Sequence, residues 1–493
     1  MTAKTAASVA PVAVPELCRL PARALAQRIR ARELSSREVV TAFLDHIAAL
    51  NPRFNAIVSM RPPEQVLAEA DAADAAVARG EPVGALHGLP QAIKDLAPTR
   101  GLRSTSGSPL FAEHVPQADA IVAARMRAAG AIFIGKTNVP EFGLGSHTFN
   151  PVFGATGNAW DPSRSAGGSS GGAAVALALR MLPVVDGSDM GGSLRNPAAY
   201  NNVLGLRPSQ GRVPHWPRVD AFMSQLATEG PMARSADDLA LLLSVQSGYD
   251  ARVPLSLDGA VPDWHDRLDA DLSGARIAWL GDLGGHLACE PGVLALCEAT
   301  LARLGEAGIR TEAIAPAFDW ERVWRAFVVM RQLSLGASLG GAYADPVQRA
   351  GMKPELQWEL EGFQRLSGAD VARAAVDRTA WYDLALQLLE THRFVALPSA
   401  QVFPFAIEER WPARIGAREM DSYHRWMEVV TPGTLSGCPV ISLPAGWNAQ
   451  GLPMGVQIIG RPRDELSLLQ LAHCHERITG LLQAEPPALA PAG

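Results

Sequence analysis

Apolar positions in the N-terminal part of the chain follow the periodicity of amphipathic helices. Between 21 and 50 they predict two helices, and the second begins at a capping box, in which Ser35 is followed three residues later by Glu38. A third helix, rich in alanine, is predicted over about 64–79. The residues before these helices, 1–20, are expected to form a flexible arm.

Further along the chain, short apolar runs alternate with helical stretches, which is the pattern of a layered α/β protein. A run at 131–134 follows a predicted helix near 118–129, and a run at 182–185 follows one near 171–180. The remaining strand candidates lie at 276–280, 394–397, 440–443 and 455–459. Because strand signals continue almost to the C-terminus, we predict one sheet and a single domain over 21–485.

Two stretches interrupt this alternation. The stretch near 251–272 contains proline and aspartate, and it is interpreted either as a domain boundary or as a surface loop. The stretch 317–430 is helical and rich in aromatic residues, and we predict that it is an insertion that covers the functional site. Its large aromatic residues either fill a local core or line an apolar cleft. They are Trp320, Trp324, Phe327, Trp358, Phe363, Trp381, Trp411 and Trp426.

Composition narrows the class of protein. The chain has 493 residues, of which 48% are hydrophobic and 19% charged, as in a folded, soluble protein. The net charge of -6 provides no basic field for a nucleic acid, which is therefore a poor candidate partner. Five cysteines without a CxxC pair argue against a disulfide framework and a zinc site. Residues 1–15 have no apolar run long enough for a signal sequence or membrane span, so we predict a cytoplasmic protein.

Two glycine- and serine-rich turns, 167–172 and 187–193, form the densest chemical signal, and they bracket one predicted helix and one strand. Seven glycines in such short turns indicate positive-φ backbone or backbone amides that approach a ligand closely. Neither turn matches a phosphate-binding loop, because no lysine follows either of them. From these segments alone, turns without any chemistry remain an alternative.

Upstream, the segment 88–95 places Lys94 in apolar surroundings. Burial disfavours the charged ammonium and lowers the pKa of a lysine, which would make Lys94 a general base near neutral pH. The alternative is an ordinary lysine that reaches solvent or pairs with Asp95.

These three segments, together with 136–138 and 141–143, resemble the amidase signature family, and their order and spacing match that family throughout 84–214. Farther along, 437–446 and 451–462 resemble its C-terminal strands. The resemblance implies an α/β fold with a large, twisted, mixed β-sheet flanked by helices on both faces. It also implies a hydrolase similar to aryl acylamidases and urethanases.

Carried over to this chain, the resemblance makes Ser193 the nucleophile, Ser169 a bridging serine in a cis peptide, and Lys94 the base. The implied oxyanion hole consists of the backbone N–H groups of Met190, Gly191, Gly192 and Ser193. The implied supporting residues are Ser170, Asp189 and Arg195. For Ser170, two roles stay open, a hydrogen bond within the triad and a cap of the following helix.

No metal or cofactor is expected, since the histidines, among them His87, His147 and His215, lack the spacing of metal ligands. The chain departs from the family pattern at Ser188, where threonine is usual, and at Asp186, where a small residue is usual. These changes leave the triad in place but affect how finely the groups are positioned.

The leading functional hypothesis is an amidase that cleaves acyl or aryl amides, and also carbamates or esters, through an acyl-enzyme. One alternative is the glutaminase-like A subunit of a tRNA-dependent amidotransferase, and another is a non-catalytic binding protein on the same fold. For the amidase, the expected partner is a small amide or carbamate, with no nucleic acid and no membrane, and the expected state is a monomer or homodimer.

Overall fold

The computed structural model describes residues 11–259, 261 and 263–490. Within the arm predicted over 1–20, residues 1–10 lie outside this description, but the rest is packed rather than free. Val12 forms a parallel bridge with Leu489, and Cys18 is fully buried in a short helix. The prediction of a flexible arm is therefore wrong from Val12 onward, because these residues contact the C-terminal segment and the core.

The described α-helices account for most of the predicted helical stretches. They are α1 (Glu16–Arg19), α2 (Ala22–Arg30), α3 (Ser36–Phe54), α4 (Pro63–Ala78), α5 (Ile121–Ala128), α6 (Gly171–Ala178), α7 (Arg195–Asn201), α8 (Ala236–Gln246), α9 (Val293–Arg303), α10 (Trp320–Ala344), α11 (Pro346–Ala350), α12 (Pro354–Arg365), α13 (Gly368–Thr391), α14 (Thr431–Ser436) and α15 (Glu465–Thr479). The capping box at the start of α3 is confirmed, since Ser35 and Glu38 each accept the other's backbone N–H.

The described strands include all of the predicted ones. They are β1 (Ile57–Val58), β2 (Pro90–Lys94), β3 (Ile132–Thr137), β4 (Phe149–Asn150), β5 (Gly154–Ala155), β6 (Val185–Asp189), β7 (Leu204–Arg207), β8 (Thr228–Ala233), β9 (Arg276–Trp279), β10 (Arg310–Ala313), β11 (Phe394–Pro398), β12 (Arg414–Ile415), β13 (Arg418–Glu419), β14 (Val440–Trp447) and β15 (Pro453–Ile459). The strand predicted at 182–185 begins only at Val185, because Pro183 has no N–H to donate to a ladder.

The main sheet has the strand order β10-β9-β11-β15-β14-β7-β8-β6. The first two pairs in that order are parallel and the others are antiparallel, so the predicted mixed sheet is confirmed. A smaller sheet, β1-β3-β2, lies beside β6. The backbone N–H of Lys94, at the end of β2, donates to the carboxylate of Asp186 in β6, which joins the two sheets.

Helices cover both faces of the main sheet. Neighbouring residues of a strand point to opposite faces, and in β8 Met232 belongs to the same apolar core as α6, whereas Ala233 belongs to the core that contains α8. The stretch 251–272 contributes Trp264, Leu268 and Leu272 to that second core, so these residues pack as part of the domain.

The segment 317–430 is not a simple insertion as predicted. It contains the long helices α10, α12 and α13, the last of which ends at Thr391. The next element, β11, lies inside the main sheet between β9 and β15. All five residues of β11 are buried, as expected for a strand that is covered on both faces of the sheet. Among the described helices, none is long and apolar enough to cross a membrane.

Candidate active site

Lys94 is the last residue of β2, and its side chain is fully buried where β2 meets the two glycine-rich turns. Its Nζ lies 2.8 Å from Ser169 Oγ and 2.8 Å from Ser170 Oγ. It also lies 3.0 Å from both the carbonyl oxygen and the Oγ of Ser188. The structure therefore brings the predicted base and bridging serine into direct contact.

Burial lowers the pKa of Lys94 to about 8, although the negative charges of Glu229, Asp186 and Asp189 oppose that shift. The neutral amine has a lone pair that accepts a proton, whereas the ammonium only donates. Lys94 thus has the protonation behaviour of a general base near neutral pH. Its neighbour Asp95 accepts hydrogen bonds from Thr105, and not from the Lys94 amine.

Ser169 follows a cis peptide bond from Gly168, as the resemblance implied. Its side chain is buried, and its Oγ faces Lys94. Ser170 does not cap α6 with its side chain, so the hydrogen bond to Lys94 is the role that the structure supports. The Ser170 backbone N–H donates to the carbonyl of Ser193 at 3.2 Å, which ties the two turns together.

Ser193 lies in the turn between β6 and α7 and is 7% exposed. Among the described residues its hydroxyl makes no hydrogen bond, so the contact with Ser169 expected for the triad is not seen in the structure. Hydrogen bonds of catalytic groups often tighten only when substrate binds. A hydroxyl without a hydrogen bond, in a turn tied to Ser170 and close to the buried Ser169 and Lys94 pair, is the arrangement that an attacking serine needs.

The predicted oxyanion hole requires one correction. The N–H of Gly192 donates to Asp189 Oδ1 at 2.9 Å, so it is occupied within the turn. Within the described part of the chain, the N–H groups of Met190, Gly191 and Ser193 have no acceptor, and they remain the candidate donors. Gly192 has a φ of +87°, in the region that favours glycine.

Asp189 and Arg195 act together in the structure, since both are fully buried and joined by two hydrogen bonds of 3.0 Å. Arg207 adds a second cation beside the same carboxylate. The two guanidinium groups, opposed by burial, hold the pKa of Asp189 well below its usual range. The charged carboxylate thereby fixes the turn through the N–H groups of Gly192 and Leu194.

Ser188 and Asp186 both contact Lys94. In the sequence they stood out only as departures from the family pattern. Ser188 offers two oxygens to Nζ, and Asp186 accepts the Lys94 backbone N–H at 3.2 Å. Burial and the neighbouring Glu229 raise the pKa of Asp186 to about 7. Their position in β6, next to the turn of the predicted nucleophile, was the signal that would have identified them.

Residues from 317–430 form an apolar wall against the nucleophile turn. A Cβ added at Gly191 would lie 2.9 Å from Cζ of Phe327 and 3.3 Å from Cε of Met427. One added at Gly192 would lie 2.8 Å from Cγ1 of Val430. Glycine at these positions lets the wall approach the turn closely.

A buried polar cluster lies behind this wall. Arg331 donates to Glu359 at 2.6 Å and to the hydroxyl of Tyr423 at 2.9 Å, and its Nη1 lies 3.5 Å from Sδ of Met190. The Tyr423 hydroxyl also donates to Glu359. This cluster connects the long helices α10 and α12 to the first residue of the candidate oxyanion hole.

Among the described residues, one group has the composition of a metal site, namely His286, Glu321 and Glu428. Arg425 forms ion pairs with both carboxylates, at 2.6 and 2.8 Å, and Arg418 lies 3.9 Å from Glu428, so two guanidinium groups face the two carboxylates. The group is therefore an ion-pair network. His147, in contrast, forms hydrogen bonds with Ser165 and a backbone carbonyl.

The chain is similar to known proteins along most of its length. The sequence model of the family described as Amidase matches residues 38–469. The A subunit of glutamyl-tRNA(Gln) amidotransferase from Thiobacillus denitrificans is 35% identical over 496 residues, covering 95% of this chain and 99% of that protein.

Solved structures give the same result. A bacterial aryl acylamidase of the amidase signature family superposes with a TM-score of 0.88 at 28% identity, covering 96% of this chain and 99% of that one. A 6-aminohexanoate cyclic dimer hydrolase superposes with a TM-score of 0.84 at 26% identity, covering 97% and 100%. The chain belongs to the amidase signature family, whose enzymes are hydrolases that act on amide C–N bonds.

Proposed function

We propose that this protein is an amidase that hydrolyses small, non-peptide amides through an acyl-enzyme on Ser193. The observation that carries the proposal is the buried Lys94 amine at 2.8 Å from Ser169 Oγ, close to a Ser193 that is 7% exposed and whose hydroxyl makes no hydrogen bond among the described residues. Neutral Lys94 accepts the proton of Ser169 while Ser169 accepts that of Ser193, whose oxygen attacks the carbonyl carbon. The proton then passes to the leaving amine. Water next attacks the ester and gives its proton to the same Ser169 and Lys94 pair, and that proton returns to Ser193 as the acid leaves.

The negative oxygen of the tetrahedral intermediate needs donors that are fixed in advance. In this proposal they are the N–H groups of Met190, Gly191 and Ser193, whereas the Gly192 N–H holds the turn to Asp189. Because that carboxylate is paired with two buried arginines, the turn does not have to reorganise when charge develops.

The substrate that we propose has a bulky, apolar or aromatic group on one side of the scissile bond. Support comes from the wall of Phe327, Met427 and Val430 against the turn of Ser193. The scissile group can be an acyl amide, an aryl amide or a carbamate, since all three present a carbonyl carbon to the same nucleophile. The aryl acylamidase and the cyclic dimer hydrolase among the structural relatives are in keeping with this class.

A second candidate function is the A subunit of a tRNA-dependent amidotransferase. It is favoured by curated relatives of 32 to 36% identity that carry this name. The apolar wall argues against it, because glutamine is small and carries two charges near the amide. A non-catalytic binding protein is less well supported, because Lys94, Ser169 and Ser193 are all present.

One experiment separates these functions. The protein is purified without partners and assayed for ammonia release from glutamine and for turnover of chromogenic acyl anilides and carbamates. An amidase of the proposed kind turns over anilides and releases little ammonia from glutamine. The reverse preference would favour the amidotransferase component, and no turnover of any substrate would favour the binding protein.

A further inference from the structure

A cavity of about 560 Å³ lies on the side of α14 away from the catalytic turn. On one side of this helix, Thr434 Oγ1 accepts a hydrogen bond of 2.8 Å from Arg195. On the other side, the carbonyl of Leu435 accepts one of 2.9 Å from Arg378, whose side chain lines the cavity. None of Lys94, Ser169 and Ser193 lines it, so this cavity is separate from the candidate active site.

The cavity carries positive charge without a matching acid. Of the described residues that line it, two are arginines, Arg378 and Arg463, and none is an aspartate or glutamate. Arg378 is partly buried, and among the described residues no carboxylate lies within ion-pair distance of it. Two of its nitrogens donate, to Leu435 and to Gln210 Oε1 at 3.2 Å, and Nη1 makes no hydrogen bond within the described chain. A guanidinium that is half removed from water and lacks an anion is costly.

A further buried cation, Arg207, lies close enough to Arg378 for their charges to interact. Burial lowers the pKa of Arg207 to about 10, and the charges of Arg195 and Arg378 add to that lowering, although Asp189 opposes it. Apolar side chains form part of the remaining wall, with Met330, Leu255 and Leu257 among them. An anion with an apolar body would compensate the charge and bury hydrocarbon at the same time.

We infer that this cavity is a binding site for a small organic carboxylate, whose carboxylate group pairs with Arg378 and whose apolar body packs against Met330, Leu255 and Leu257. The planar guanidinium suits a carboxylate because two parallel N–H groups match its two oxygens. An apolar chain is expected to strengthen binding by about fourfold for each buried methylene.

The test uses Thr379, an exposed residue of α13 that lines the same cavity. In Thr379→Glu a carboxylate is placed beside Arg378, and the hydrogen bonds of Arg378 are left intact. Thr379→Gln is the matched control, with the same side-chain length and no charge. Both changes are made in a Ser193→Ala background, so that the result does not depend on catalysis or on the proposed function.

Binding of hexanoate, butyrate and the neutral hexanamide is measured by calorimetric titration. We expect saturable binding of hexanoate that is about fifteenfold tighter than that of butyrate and is lost with hexanamide. Thr379→Glu should weaken it at least about tenfold, and Thr379→Gln should leave it within about twofold. The inference is overturned if hexanoate shows no saturable binding, or if the two variants at Thr379 bind it equally well.

Discussion

The backbone amide of Gly192 donates to the carboxylate of Asp189 at 2.9 Å. Because Gly192 directly precedes Ser193, this hydrogen bond sets the shape of the turn that carries the proposed nucleophile. Asp189 is in turn fixed by Arg195 and Arg207, and all three side chains are buried. This relationship explains why the turn needs a charged residue that takes no part in proton transfer.

Replacing Asp189 by Asn should therefore be strongly destabilising. The change leaves Arg195 and Arg207 buried without a charged partner, which typically costs about 3 to 5 kcal/mol. Chemical denaturation measures the free energy of unfolding. Asp161→Asn, which breaks the exposed pair with Arg164, is the control and should cost at most about 1 kcal/mol. Equal losses in the two variants would argue against the role given to Asp189.

The dependence of kcat/KM on pH should reflect Lys94. Its pKa is lowered to about 8, so the neutral base prevails above that pH and the ammonium below it. The rate should therefore rise with pH, by about tenfold per unit well below 8, and level off above it. A profile that is flat between pH 6 and about 9, or that falls as pH rises through this range, would exclude Lys94 as the base.

Asp186→Asn offers a direct test of the charge beside Lys94. The Asp186 carboxylate raises the pKa of Lys94, so removing its charge should move the acidic limb of the pH profile to lower pH. The Asn side-chain oxygen still accepts the backbone N–H of Lys94, which keeps β2 in place. Titration of kcat/KM measures the shift, and an unchanged limb or a shift to higher pH would show that Asp186 is not coupled to the base.

The apolar wall of Phe327, Met427 and Val430 should make the enzyme prefer substrates with longer apolar groups. Across acyl anilides of increasing chain length, each buried methylene should add about 0.8 kcal/mol to transition-state binding, which raises kcat/KM about fourfold. Met427→Gln keeps the approximate side-chain length but makes the wall polar, and it should flatten the series. If the wild-type series is already flat, the wall does not contact the substrate.

The sequence predicts the fold well where local patterns decide it. The capping box of α3 and the apolar runs of β11, β14 and β15 are local features, and all of them appear in the structure. The position of β11 in the middle of the sheet depends instead on pairing with β9 and β15, which are distant in sequence. That pairing left no local pattern, so 317–430 resembled an insertion.

The candidate site, too, has features that local sequence predicts and features that depend on contacts between distant residues. The glycine turns and Lys94 are recognisable from residue type and order, and the structure brings Lys94 and Ser169 together. The hydrogen bond of the Gly192 amide was not predictable, because it depends on where Asp189 points after pairing with Arg207 of β7, a strand that β8 separates from β6. The contacts of Ser188 with Lys94 likewise arise from strand packing.

The central claim is that Ser193 attacks the substrate, and the rate of Ser193→Ala tests it most directly. The change removes one oxygen that makes no hydrogen bond among the described residues, so thermal stability should stay close to that of the wild type, which serves as the control. We predict that kcat for the best anilide falls by at least about 10⁴-fold. A folded variant that keeps more than about a tenth of the wild-type rate would contradict the assignment of Ser193 as the nucleophile.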